Sequence, residues 1–242
     1  MNTSLHHPSP QHRPLYQLLL SSVILLVIAM VAVACSSQAP TSSPSSSGAP
    51  HATSDTKATR TFTVSSNPVL QLSNDVGSIH LQTNGAGNSI SVQTVLSGDD
   101  TSGLHVRYAQ QGDTVTITGT STKRMNAPVN SPHINFTITI PDRTVVHVTS
   151  HVGEIVYQGT IAAGVSDQLK NDTGNITVTL PKDATLRLVA TALTGDVQVD
   201  FPNVPVTEQN LVGSQAQATI GRNPTASLTL TVAVGNIKIH QA

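Results

Sequence analysis

The sequence predicts an all-β protein built from stacked repeats, and three observations carry that prediction. From Thr61 onward, Val, Ile, Leu and Thr alternate with polar residues in short runs such as Val115-Thr-Ile-Thr, Phe136-Thr-Ile-Thr-Ile and Ile176-Thr-Val-Thr-Leu. A period of two marks strands with one buried face. One pattern then recurs around Gly77, Gly153, Gly174, Gly195 and Gly235: apolar-x-apolar, a four-residue turn, Gly, one further residue, and apolar-x-apolar again. Finally, Ile140-Pro141, Leu180-Pro181 and Phe201-Pro202 each end a run, because Pro has no N–H to give to a ladder.

In chain order, the first element is an address. Met1 to Arg13 is polar and free of acids, Leu15 to Val33 is mostly apolar, and small residues lead into Cys35. This is the layout of a secretory signal. The small-residue-Cys junction resembles a bacterial lipoprotein signal, although Ala32 stands where that pattern prefers Leu. The resemblance implies cleavage after residue 34 and a lipid on Cys35, the chain's one cysteine. The alternative is an uncleaved membrane helix over Leu18 to Ala34, interrupted by Ser21-Ser22 and at the short edge of a bilayer span. Either way, the rest of the chain is expected outside the cytoplasmic membrane.

Residues 35–60 are rich in Ser, Thr, Pro and Ala and hold no aliphatic side chain larger than Ala. Such a stretch buries too little apolar surface to offset its ordering entropy, so a disordered tether is expected, spanning roughly 30 Å.

Residues 61–242 form the folded domain. Gly153, Gly174 and Gly195 are 21 residues apart, and the step to Gly235 is 40, close to two units. A period near 20 is the mark of a stacked repeat. Two residues after each Gly stand Ile79, Ile155, Ile176, Val197 and Ile237; four after stand Leu81, Tyr157, Val178, Val199 and Ile239. Stacking in chain order would place Ile155, Ile176 and Val197 in one inward column about 4.8 Å apart. Residues 62–125 fit the repeat only at Gly77, so an irregular or sandwich-like β portion that caps the stack is expected there.

The Leu/Ile-Pro, Thr-Val/Leu and Asn-Asp-x-Gly-x-Ile-x-Val elements, clearest over residues 134–201, resemble the putative-adhesin β-solenoid domain family of bacterial envelope proteins. The resemblance covers residues 62–242 and implies a single-stranded, right-handed β-solenoid (β-helix), a hand that parallel crossovers also favour. It offers no catalytic residues to carry over. An antiparallel sandwich is the alternative, with Asn-Asp-x-Gly and Gln110-Gln-Gly-Asp113 as hairpin turns.

Composition narrows the function. The formal net charge is −1, with 10% charged residues, 2% aromatic residues and no Trp. No basic excess exists for nucleic acid, and one Cys makes no disulfide framework. Of the ten His, His80 and His240 alternate with inward apolar residues and are expected to face solvent. His147 and His151, four apart, lack Cys or carboxylates at zinc-ligand spacing. No metal site and no cofactor are expected. Asp172, Asp196 and Asp200 lie near corners of adjacent repeats; they are read as turn residues, with a polysaccharide-active acid pair as the alternative. The expectation is a non-enzymatic, extracytoplasmic lipoprotein. It would be held to the bacterial cell membrane by the lipid on Cys35 and contact cell-wall or surface polysaccharide, or an envelope protein, along residues 144–200. An envelope-stress component acting on a membrane signalling partner is the second expectation.

Overall fold

A computed structural model describes residues 56–122, 131–201, 206–209 and 213–242; the signal segment and Cys35 lie outside the described residues. Seventeen strands are described: β1 Thr56–Thr63, β2 Val69–Val76, β3 Ile79–Thr83, β4 Ser89–Ser97, β5 Leu104–Gln111, β6 Thr114–Ser121, β7 His133–Ile140, β8 Val145–Val152, β9 Ile155–Gln158, β10 Ser166–Thr173, β11 Ile176–Leu180, β12 Leu186–Thr194, β13 Val197–Asp200, β14 Val206–Gln209, β15 Ser214–Ile220, β16 Ala226–Val234 and β17 Ile237–Gln241. A single 3-10 turn, Thr101–Gly103, precedes β5. The all-β expectation holds.

The strands form two mixed sheets. The first has the order β1-β4-β7-β3-β9-β11-β17-β13, and the second β14-β15-β12-β16-β10-β8-β2-β6-β5. Five strand pairs, β2/β3, β8/β9, β10/β11, β12/β13 and β16/β17, each place one strand in the second sheet and the next in the first. Each pair turns through one of the five predicted glycines. Neighbouring pairs are parallel in both sheets. β7 and β11 stop at Ile140 and Leu180, just before the predicted prolines. The turns that follow close alike, through Thr144 N–H to Pro141 O at 3.0 Å and Ala184 N–H to Pro181 O at 3.1 Å.

The side chains two and four residues after each Gly face inward, as the alternation requires. Cross-strand register gives the columns Phe136–Ile79–Ile155–Ile176–Ile237–Val197 and Ile138–Leu81–Tyr157–Val178–Ile239–Val199. All are buried except Val199, which is half-buried. They merge with Leu70, Val148, Leu169, Leu188 and Leu230 of the second sheet into one core, each such side chain contributing roughly 1.5–3 kcal/mol of burial.

Four expectations are corrected. Ile176 does not neighbour Val197: Ile237 stands between them, because β16/β17 are inserted between β10/β11 and β12/β13. The 40-residue step hides the antiparallel β14–β15 excursion, not one more coil. The portion over residues 62–125, expected as an irregular or sandwich-like cap, is regular strand through Ser121 and only partly a cap. β2/β3 sit inside the stack between β8/β9 and the β6 and β7 strands, and antiparallel β4–β1 and β5 extend its end. Last, residues 56–60, assigned by composition to the tether, belong to β1. Their side chains are all exposed, so backbone pairing with β4 orders them without any apolar signal.

Candidate functional site

The corners set the geometry of both outer faces. The strand runs up to the residue before each Gly, so the expected four-residue turn shrinks to Gly and its successor. Gly174 has φ +127 and Gly235 φ +141, outside the range of L-residues with a side chain. The five glycines stack in the order 77–153–174–235–195. A Cβ on Gly153, Gly174, Gly235 or Gly195 would collide with the carbonyl oxygen of the preceding glycine in that order, and one on Gly77 with that of Ile134. Their N–H groups donate sideways, Gly153 to Thr173 O at 3.0 Å and Gly174 to Val234 O at 2.9 Å.

Beside this spine runs an inward column at positions within the expected four-residue turns. Asn74, Ser150 and Asn171 are fully buried and face one another across β2, β8 and β10. Asn171 Nδ2 donates to Gly153 O at 2.8 Å, and Asn74 Nδ2 to Ile134 O at 3.0 Å. The amides thus donate to the corner carbonyl of Gly153 and to that of Ile134 at the start of β7, while Asn74 Oδ1, Ser150 Oγ and Asn171 Oδ1 are buried without a hydrogen-bond partner. The next rungs, Val232 and Ala192, are apolar.

The outer face of the first sheet is a polar surface in strict register: Thr137–His80–Val156–Thr177–Lys238–Gln198. At the corner above it, Asn175 Oδ1 accepts from Asn236 N–H and Asn236 Oδ1 from Asp196 N–H, both at 2.9 Å. Each Asn keeps its two amide donors, and both residues are exposed. Asn175, Thr177, Asp196, Gln198, Asn236 and Lys238 line a shallow cleft of about 370 Å³. It presents amide and hydroxyl groups, one ammonium and one carboxylate at strand spacing.

The outer face of the second sheet carries an ionic row. His151 Nδ1 meets Asp172 Oδ2 at 2.7 Å, Lys170 Nζ lies 3.6 Å from Asp172 Oδ1, and Asp75 Oδ1 is 4.0 Å from His151 Nε2. The hydrogen bond from His151, helped by Lys170, holds the Asp172 carboxyl below its usual range. Asp196 and Asp200 belong to the β13 edge of the other sheet, so the three corner aspartates of the acid-pair alternative are not brought together. Among the described residues, no group of three His, Cys, Asp or Glu is placed to hold a metal ion.

His80 is exposed as expected. His240 is not: it is half-buried, its Nε2 lies 3.0 Å from Thr179 Oγ1, and its Nδ1 is buried without a partner. Sequence reasoning also missed Asp167, which is 1% exposed and faces the core. Its Oδ1 accepts from Val146 N–H at 2.9 Å, and its Oδ2 has no hydrogen-bond partner. Burial raises its pKa to about 7, against the partial relief of the Val146 N–H and the nearby Tyr157 hydroxyl.

No protein-family model matches the chain, and no curated protein does. Solved structures do. A protein named as a putative cell adhesion protein from Clostridium sporogenes superposes with a TM-score of 0.55 at 15% identity, over 78% of this chain and 100% of that one. A putative adhesin from Bacteroides fragilis matches at 15% identity over 76% of this chain and 97% of its own, with a TM-score of 0.24. One from Parabacteroides merdae matches at 10% identity over 76% and 80%, with a TM-score of 0.30. The first likeness establishes a shared fold. No described helix is long and apolar enough to cross a membrane.

Proposed function

We propose that the chain is a non-catalytic, adhesin-like module of the bacterial cell surface, anchored by a lipid on Cys35, whose polar outer face contacts envelope glycan or an envelope protein. The observation that carries this reading is the in-register row Thr177–Lys238–Gln198 beneath Asn175, Asn236 and Asp196. Hydrogen-bonding groups repeat along it at about 4.8 Å, a spacing suited to many weak contacts with an extended polymer. The fold shared with the Clostridium sporogenes protein supports the same class. The strand–glycine–strand units are, on this reading, the coils of a right-handed β-solenoid in which the β16/β17 coil is stacked out of chain order.

Co-sedimentation of the full chain with isolated cell wall and exopolysaccharide tests this function. Saturable binding that weakens in Thr177→Arg and Gln198→Arg, with no soluble saccharide released, is the expected result. Binding that ignores both substitutions, or that is absent, would remove this face from consideration.

A further inference from the structure

The residues that follow the five glycines form a row along the corner of the first sheet: Ser78, Glu154, Asn175, Asn236 and Asp196, in stacking order. Two amides stand side by side in it, Asn175 and Asn236, and the oxygens of both are already engaged. Asn175 Oδ1 accepts from Asn236 N–H, and Asn236 Oδ1 accepts from Asp196 N–H. A backbone N–H only donates, so these bonds fix which end of each amide is the oxygen. Neither Nδ2 is bonded to another described residue, and both residues are exposed. The pair therefore presents NH2 donors on adjacent strands, about 4.8 Å apart, rather than acceptors.

Charge narrows what these donors can meet. Glu154 is exposed beside Asn175, Asp196 is exposed beside Asn236, and Asp200 is exposed further along β13. Against these carboxylates the cleft holds one ammonium, that of Lys238. A uronate or a phosphate would face a net negative surround. A protonated amino sugar would set N–H donors against N–H donors. A neutral acceptor suits the pair, and among neutral sugar groups the acetamido carbonyl oxygen has two lone pairs and no proton of its own. An oxygen about 2.9 Å from each of two nitrogens about 4.8 Å apart accepts from both. Val156, half-buried and paired with Thr177 on the neighbouring strand, gives the acetyl methyl an apolar neighbour.

We propose that the Asn175/Asn236 pair recognises the acetamido carbonyl of a neutral N-acetylhexosamine chain, with Glu154 and Asp196 accepting from its ring hydroxyls. The inference rests on the glycan-binding reading and names the sugar that this face selects. Selectivity comes from the ladder itself. Because each Asn oxygen is held by the next strand's N–H, the donors are fixed outward before any sugar arrives, and a sugar without an acceptor at that point leaves them unpaired.

The test is an NMR titration of the full chain in mild detergent with a soluble chitin hexamer, beside hexamers of glucosamine, glucose and galacturonate. Only the acetylated hexamer is expected to move the side-chain NH2 signals of Asn175 and Asn236 saturably, with an affinity that salt leaves unchanged because the ligand is neutral. Asn175→Asp and Asn236→Asp keep an oxygen for the same backbone N–H and lose the NH2 group. Each should weaken binding about tenfold, and unchanged melting shows that the ladder survives. Equal binding of the other hexamers, no binding of the acetylated one, or binding indifferent to both Asp substitutions would each overturn the proposal. Wall binding that Thr177→Arg and Gln198→Arg weaken, but that the acetylated hexamer does not displace or that protease treatment of the wall abolishes, would overturn it while leaving this face a binding surface. Saturable hexamer binding at the Asn pair without any wall binding would uphold the sugar assignment and remove the wall as its source.

Discussion

The carbonyl oxygen of Gly153 fills the space that a Cβ on Gly174 would need. The contact is backbone on backbone, with no flexible side chain to yield, and Gly174 also holds φ +127. Gly174→Ala therefore combines an excluded conformation with a collision inside the stack. A loss of more than about 3 kcal/mol, or failure to fold, is expected from urea denaturation. Gly112 provides the contrast: it has φ +58 and open space around its Cβ position, so Gly112→Ala should cost only about 1–2 kcal/mol. Equal losses at the two sites would mean that stacking adds nothing to conformation.

The glycines and the inward columns were legible because a corner that excludes Cβ and a strand with one dry face both restrict residue type at fixed spacing. Ile79, Ile155, Ile176, Val197 and Ile237 all fall where the register put them. The order of stacking was not legible. Ile176 packs as well on Ile237 as on Val197, since both are aliphatic and both follow a glycine by two residues. β1 escaped notice because an edge strand exposed on both faces has no alternation. Asn74, Ser150 and Asn171 fall inside the expected four-residue turns, and the strand continues through them because Asn74 and Asn171 donate to carbonyls of a neighbouring rung, which a single strand does not reveal. The cleft shares that dependence: Asn175, Asn236 and Asp196 are brought together only by the insertion of β16/β17.

That insertion gives β16 a stabilising reach on both sides. Leu230 is fully buried and pairs with Leu169 of β10 and Ala190 of β12. Leu230→Ala should cost about 2–5 kcal/mol and reduce hydrogen-exchange protection in β10 and β12 together. Stacking in chain order would leave β10 and β12 paired to each other and β16 at an end. Loss of protection confined to β16 would contradict the inserted order.

The ionic row on the second sheet should matter little to stability. His151 and Asp172 have side chains 53% and 37% exposed, and exposed pairs contribute about 0–1 kcal/mol. His151→Ala is expected to shift the urea midpoint by less than the Leu230 substitution does, and to let the Asp172 carboxyl titrate at higher pH, since the histidine hydrogen bond is the main influence lowering it. Carboxylate NMR titration of the variant reads this directly. An unmoved Asp172 would mean that the 2.7 Å contact does not persist in solution.

Asp167 makes the opposite prediction about acid. Its folded pKa is raised to about 7 from the ordinary 3.8, so the folded chain holds a proton that the unfolded chain has released. Stability from this residue is therefore fully present below about pH 4 and falls as pH rises through about 7, where the buried carboxyl must ionise. A shift of this size corresponds to a few kcal/mol, on the order of 1.4 per unit. Asp167→Asn keeps an acceptor for the Val146 N–H and cannot ionise. The variant should show a nearly flat urea midpoint between pH 4 and pH 8, while the wild type declines toward the alkaline side. Parallel profiles would show that Asp167 reaches water, either through its unpaired Oδ2 or by opening of the core beside Tyr157.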